Sequence, residues 1–443
     1  MPRSHIASAT DAAAVAADGF VFGYPLVLMN RIRAWMTAVR EPDPARMRAP
    51  LNRFVHARVL PEATAGRPAG PRAGALRSSA WLDLGATPVI LSVPETHGRF
   101  YALSLVDLWT NVFATVGART TGTSGGTYVI TGPAWNGMSL PAGAIPIRAP
   151  TRLARLAGLT QVDGDGGYTG AHAVQDAYEL APIVAGSPAN GILERPPAGT
   201  PPIVQVEQMD APTFFSELAA LIRDNPPRLE DGAIVERMAW LGLLVEGELG
   251  SRRLGRDVQR AVAEGAARGL ERVMAAAESP PGDPVGDWRI RFRLGQYGTD
   301  YLSRAAAACA GLESGPAGDE LPALVQTDVH GRQLSGRDRY VLRFPPRSLP
   351  PVHGFWTLVT YDARQALVDN PVERYSIGDW NSLVLEPDGS LAIRIQHADP
   401  GERVPNWLPA PPGPFNLLLH LCWPQQAVLD REWAPPTVTP VAG

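Results

Sequence analysis

The sequence predicts an α+β protein in which two antiparallel β-sandwich or jelly-roll-like domains flank a helical region. Three observations carry this expectation. The stretch from Gly98 to Asp107 recurs from Gly354 to Asp362, each copy introduced by a Pro-x-x-His-Gly phrase. Phe100, Tyr101, Leu103 and Asp107 match Phe355, Trp356, Leu358 and Asp362 at identical spacing, so one β-motif is used twice. Apolar residues follow a helical period between about residues 166 and 313 and a strand-like alternation on either side. Glycine and proline number 44 each, which implies many turns and rigid connections. The chain divides into a helical segment (1–40), a first β domain (41–165), a helical region (166–313) and a second β domain (314–443).

Residues 8–40 read as a helix, broken or bent around Gly23-Tyr24-Pro25, because proline removes a donor and clashes with the preceding turn. An Arg/Pro-rich loop follows to about Arg77. Strands are expected at Ser79–Leu84, Pro88–Val93, Phe100–Leu108, Asn111–Val116 and Thr127–Thr131. Short turns between them suggest an antiparallel meander, with a Pro-flanked edge at Ala144–Pro150. The period then changes. Ala171–Leu180, Ala211–Asp224, Leu229–Val245, Asp257–Glu278 and Asp300–Leu312 suit helices, the last with Thr299 or Asp300 as N-cap. Strand patterns return at Arg339–Phe344 and Gly354–Tyr361. A hairpin is expected in which Ser382–Leu385 and Leu391–Gln396 flank a Pro387-Asp388-Gly389 turn, and a last strand runs Phe415–Trp423.

Composition removes several classes of function. Net charge is −4 and no long basic run occurs, which argues against a nucleic-acid partner. Two cysteines, Cys309 and Cys422, are too few for a disulfide framework or a Cys-rich metal site, and suit buried thiols in a reducing compartment, the cytoplasm. Asp11 and Asp18 interrupt the apolar amino-terminal stretch, so neither a secretory signal nor a membrane span is expected. All 40 basic residues are arginine. Without lysine there is no Schiff base, pyridoxal anchor or P-loop, and no cofactor is expected. Eight histidines with no i, i+4 pair give no metal signature, His97 and His353 in the repeated loop included.

At Asn406-Trp407-Leu408-Pro409-Ala410-Pro411 and Gly413-Pro414-Phe415-Asn416-Leu417, the chain resembles a family of two-part bacterial proteins. That family carries domain of unknown function 1254 at the amino end and 1214 at the carboxyl end. Gly23-Tyr24-Pro25-Leu26-Val27, Ser78-Ser79-Ala80-Trp81-Leu82-Asp83-Leu84, Tyr297-Gly298-Thr299-Asp300-Tyr301 and Arg374-Tyr375-Ser376-Ile377-Gly378-Asp379 agree. The resemblance implies two β-sandwich or jelly-roll-like domains with helical insertions, and self-association into a homo-oligomer; it implies no settled reaction. The chain departs from its relatives where they are polar. Arg72 to Arg77 replaces an Asn-x-Asp-Thr-x-Tyr phrase, Leu159 stands for an arginine, and His420 and Cys422 stand where arginine and tyrosine are usual.

Several residues are candidates for chemistry. Asp107 and Asp362 sit at equivalent strand ends, where burial would suit acid–base work and exposure would suit accepting turn N–H groups. His397 and Asp399 follow a strand, with Asn406 and Trp407 nearby, and a histidine beside a carboxylate suits general-base work. A rigid loop bonded to itself is the simpler alternative. His420 alternates with Leu419 and Leu421 and so faces away from them; it is a ligand-binding or a satisfied structural residue. Trp109, Trp356 and Trp407 could wall a small-molecule pocket, with Asn406, Arg77 and His420 as polar contacts. Gly122-Thr123-Ser124-Gly125-Gly126 matches a nucleophile elbow in letters but precedes a strand, which marks a hairpin loop. Two functions stay open: a cofactor-independent hydrolase, lyase or isomerase acting on a small, mainly apolar molecule, and a non-catalytic binding or assembly protein.

Overall fold

The computed structural model describes residues 9–63, 74–137, 140–164, 167–183, 199–245, 254–278, 282–311, 315–401 and 405–441. Arg72 lies outside them. The first β domain contains β1 (Val55–His56), β2 (Ala75–Asp83), β3 (Val89–Val93), β4 (Tyr101–Asp107), β5 (Val112–Gly117), β6 (Gly126–Thr131), β7 (Ile145–Arg148), β8 (Leu153–Gln161) and β9 (Glu179–Pro182). These build a larger sheet of order β1-β2-β8-β4-β5 and a smaller one of order β7-β6-β3-β9. Leu82, Leu103, Leu105 and Leu156 of the larger sheet pack on Val89, Leu91, Tyr128 and Ile130 of the smaller. Each fully buried leucine contributes roughly 1.5–3 kcal/mol relative to exposure, and strand alternation delivers them to one face.

The second β domain contains β10 (Asp283–Val285), β11 (Trp288–Ile290), β12 (Glu320–Val325), β13 (Tyr340–Phe344), β14 (Val352–Asp362), β15 (Ser376–Gly378), β16 (Leu391–Gln396), β17 (Trp407–Pro409), β18 (Phe415–Pro424) and β19 (Val438–Pro440). Its sheets run β10-β11-β12-β18-β14-β15 and β17-β16-β13-β19. The plan is that of the first domain: β3 and β13 are flanked by β6/β9 and β16/β19, and β4 and β14 by β5/β8 and β15/β18. Parallel pairing occurs at the same place in both, β6 with β7 and β16 with β17. Asp107 lies opposite Ala154 and Asp362 opposite Phe415, equivalent points of the two ladders. Phe100 precedes β4, yet its carbonyl accepts the Gln161 N–H (3.0 Å), which matches Phe355 opposite Cys422. The Phe100 and Phe355 rings meet edge to face, 5.7 Å between centroids. A contact between equivalent residues of two copies lies near the axis that relates them.

Helices form the third layer: α1 (Ala9–Thr37), α2 (Thr169–Asp176), α3 (Pro202–Glu207), α4 (Ala211–Asp224), α5 (Gly232–Trp240), α6 (Arg256–Glu278), α7 (Tyr301–Cys309) and, within the second β domain, α8 (Gln426–Leu429). α1 is apolar nearly all round because α3 to α7 pack about it. Gly265 and Gly269 of α6 admit α1 at close range: a Cβ would stand 2.3 Å from the Ala13 carbonyl oxygen at one and 2.8 Å from that of Ala17 at the other. Asp210 caps α4 and Asp300 caps α7, each accepting an N–H three residues on.

Several expectations need correction. α1 continues through Pro25 instead of breaking, held by the surrounding helices. Contrary to expectation it is long and apolar enough to cross a bilayer, although here it is mostly buried in protein. The first sheets are no simple meander, since the chain passes repeatedly from one sheet to the other, as from β2 to β3, β3 to β4, β5 to β6 and β7 to β8. Glu179 and Leu180, read as the end of a helix, instead open β9, which completes the smaller sheet, and the central strand β8 was not anticipated. The Pro387-Asp388-Gly389 turn forms, with Gly389 at φ +82°, but Ser382–Leu385 is not a strand; β16 pairs with β13 and β17 instead. Leu312, the expected end of α7, lies outside the described residues.

Candidate functional site

The larger sheet of the first domain turns its outer face toward the helices at one end and toward the second domain at the other. Strand alternation puts Arg77 and Ser79 of β2, Ala102 and Ser104 of β4, and Arg155, Ala157 and Leu159 of β8 on that face. The small side chains at Ala102 and Ala157 leave room. A cavity of about 90 Å³ results, its walls including Arg77, Ser79, Ser104, Arg155, Asp319 and Glu320.

The two carboxylates come from the second domain, at the start of β12. Asp319 is buried and accepts the Arg119 Nε–H at 2.6 Å, tying the domains together. Glu320, also buried, has Oε1 3.0 Å from Nδ1 of buried His420. His420 lies opposite Thr357 on β14, on the face away from the core that receives Leu419 and Leu421, as alternation required. His420 Nε2 and Thr357 Oγ1 are buried without a hydrogen-bond partner among the described residues. The Nδ1 contact holds the Glu320 carboxyl group in place at the domain junction. Cys422, one pleat along, is pushed well above the ordinary thiol range by burial and by the carboxylates of Glu320, Asp379 and Asp319. It is therefore a protonated, inert thiol.

The residues chosen from sequence fall into three groups. Arg77 lines the cavity and His420 stands behind Glu320. Leu159 lines it too. Asp107 and Trp109 lie under the helical layer, both buried; the Trp109 indole donates to the Asn225 carbonyl at 3.2 Å. The rest serve the second domain's own architecture. Asp362 accepts the N–H groups of Arg364 and Ala366, and Trp356 belongs to the domain core. His397 Nδ1 contacts the Ala410 carbonyl (3.0 Å), Asp399 accepts the Gly401 N–H (2.7 Å), and Trp407 donates to the Gln396 carbonyl (3.0 Å). Asn406, at φ +54°, bonds Val384 and Ala392 through its side chain. Sequence reasoning missed Glu320, Asp319, Ser104 and Arg155. The signal for Arg155 was the alternation Arg155, Ala157, Leu159, and for Glu320 a lone carboxylate opening an apolar strand.

Residues 51–182 match the family model described as "Protein of unknown function (DUF1254)", and residues 319–426 match "Protein of unknown function (DUF1214)". The VPA0106 protein from Vibrio parahaemolyticus shares the fold with TM-score 0.72 at 21% identity, over 97% of this chain and 100% of that one. An uncharacterised protein from Burkholderia cenocepacia aligns with TM-score 0.41 at 12% identity, over 97% and 94%. No curated protein matches the chain.

Proposed function

The chain belongs to the two-domain family that these models describe in amino- to carboxyl-terminal order, and from that premise we propose that the cavity between its β domains binds a small substrate and moves a proton on it. Glu320 is the acid–base group at the cavity wall, and His420 is its positioning residue. The carrying observation is the buried 3.0 Å contact between His420 Nδ1 and Glu320 Oε1 beside that cavity. A carboxylate fixed by an imidazole within a protein wall is oriented before the substrate arrives, which is what general acid–base catalysis needs.

The volume restricts the substrate. A pocket of about 90 Å³ is well below the roughly 300–1,000 Å³ of sites for drug-sized ligands, so a molecule of few heavy atoms is indicated. Arg77, Arg155, Ser79 and Ser104 in the lining favour oxygen-rich groups, arginine especially for a carboxylate. This replaces a mainly apolar substrate with a polar one. No cofactor enters the proposal. The free, buried thiols of Cys309 and Cys422 support a reducing compartment such as the cytoplasm.

The test is turnover of small hydroxy-, keto- and unsaturated acids, followed by untargeted mass spectrometry of a metabolite mixture. Glu320→Gln is expected to lower kcat by about 10²–10⁴-fold. His420→Gln should lower it less and move the pH profile. Turnover indifferent to Glu320→Gln would remove the catalytic assignment. Saturable binding with no turnover would favour the non-catalytic reading.

A further inference from the structure

Arg304, in α7, is fully buried. None of its three guanidinium nitrogens has a hydrogen-bond partner among the described residues. Phe22, Trp109 and Tyr301 surround it, with ring centroids 5.4, 5.4 and 5.1 Å from the guanidinium carbon. Aromatic faces stabilise the positive charge. They leave unanswered the N–H groups, five donors lying in the guanidinium plane that require acceptors there. Asp107 and Asp231 act on Arg304 through charge, yet neither hydrogen-bonds it. Three more atoms of this neighbourhood, Asp231 Oδ1, Asn111 Oδ1 and Thr110 Oγ1, are buried without partners.

We propose that Arg304 heads a second, enclosed site that holds a small neutral carbonyl compound, its oxygen accepting from the guanidinium. An acceptor is required because arginine only donates. Neutrality follows from the surroundings: Arg304 and Arg228 already face Asp107 and Asp231, two charges of each sign, and an anion would add an unbalanced charge beside both carboxylates. The aromatic rings give the compound's body an apolar wall. The site shares neither Glu320 nor His420 with the interdomain cavity and stands independently of it.

Acetamide and acetate, nearly identical in shape and different in charge, provide the test. At up to 100 mM and constant ionic strength, acetamide is expected to raise the melting temperature of the intact protein by about 2 °C, and acetate to leave it unchanged. Arg304→Met should lose the response and Glu320→Gln should keep it. An equal shift in Arg304→Met, a response to acetate alone, or no response to either overturns the proposal. If Arg304→Met does not fold, crystals of the unaltered protein soaked in acetamide decide: a carbonyl oxygen within hydrogen-bond distance of the guanidinium supports the site, and water alone there rejects it.

Discussion

Asp107 and Asp362 close the same five-residue turn in the two β domains. In the first, the Asp107 N–H donates to the Asn111 carbonyl (2.9 Å), the Asp107 carboxylate accepts the Asn111 N–H (2.8 Å), and Thr110 sits at φ +73°. In the second, Asp362 N–H donates to Ala366 (2.9 Å), its carboxylate accepts the Ala366 N–H (2.8 Å), and Gln365 sits at φ +61°. The repeated aspartate is thus first a requirement of the fold. What differs is the cover. Asp362 is half-exposed, whereas Asp107 is buried beneath the helical layer, and Asn111, where the second copy has alanine, adds an amide donating to both carboxylate oxygens. Burial pushes the Asp107 carboxyl up to about 6, against the Asn111 hydrogen bonds and the charges of Arg304 and Arg228, which act to lower it. One motif yields a plain turn where water reaches it and a proton-binding group where helices exclude water.

The largest effect is expected from removing the two aspartates separately. Asp107→Ala leaves buried donors unmade and takes a counter-charge from Arg304, and should cost about 3–5 kcal/mol. Asp362→Ala should cost about 1 kcal/mol, the scale of a lost cap. Urea denaturation measures both, and equal costs would break the comparison. The contact between copies comes next. Phe100→Ala and Phe355→Ala should each cost about 3–4 kcal/mol. Their double mutant should reveal a coupling of about 0.5–1.5 kcal/mol from the edge-to-face pair. No coupling would mean that the rings merely adjoin.

The pH dependence sharpens the comparison further. The folded Asp107 carboxyl titrates near 6, above the unfolded value of about 3.9. Its contribution is fully present below about pH 3.9 and is lost as pH rises through 6, about 3 kcal/mol in all. Denaturant midpoints between pH 4 and 7 should therefore fall more steeply for the unaltered protein than for Asp107→Asn. Asp379, also raised to about 6 by burial, contributes to both curves, so their difference reports Asp107. Parallel curves would show that Asp107 titrates alike in folded and unfolded chains.

Local periodicity carried the repeat, the turn chemistry and helix α4, which spans Ala211–Asp224 as read. It failed at β8, where Leu153, Leu156 and Leu159 recur every third residue and match neither a strand nor a long helix. Gly158 explains part of that irregularity, since a Cβ there would lie 2.7 Å from the Leu103 side chain. The site was less legible because its parts meet only in space. Glu320 and His420 are a hundred positions apart, and no spacing rule links them. Arg304, in the run Tyr301-Leu302-Ser303-Arg304-Ala305-Ala306, looks like an ordinary solvent-facing arginine. Only the helix packing shows that Phe22, Trp109 and Tyr301 enclose it.

The smallest effect concerns the loop that read as a general-base site. The Asp399 carboxylate accepts the Gly401 N–H across a two-residue turn in exposed surroundings. His397 contacts the Ala410 carbonyl and not Asp399. Water can replace the turn hydrogen bond when the carboxylate is removed, so Asp399→Ala should change stability by no more than about 0.5 kcal/mol. It should also leave turnover at the interdomain cavity unaltered. A loss of turnover in a variant of unchanged melting temperature would return the chemistry to this loop. Glu320 would then be a buried strut of the domain junction, and the two β domains would differ in which of them carries the catalytic group.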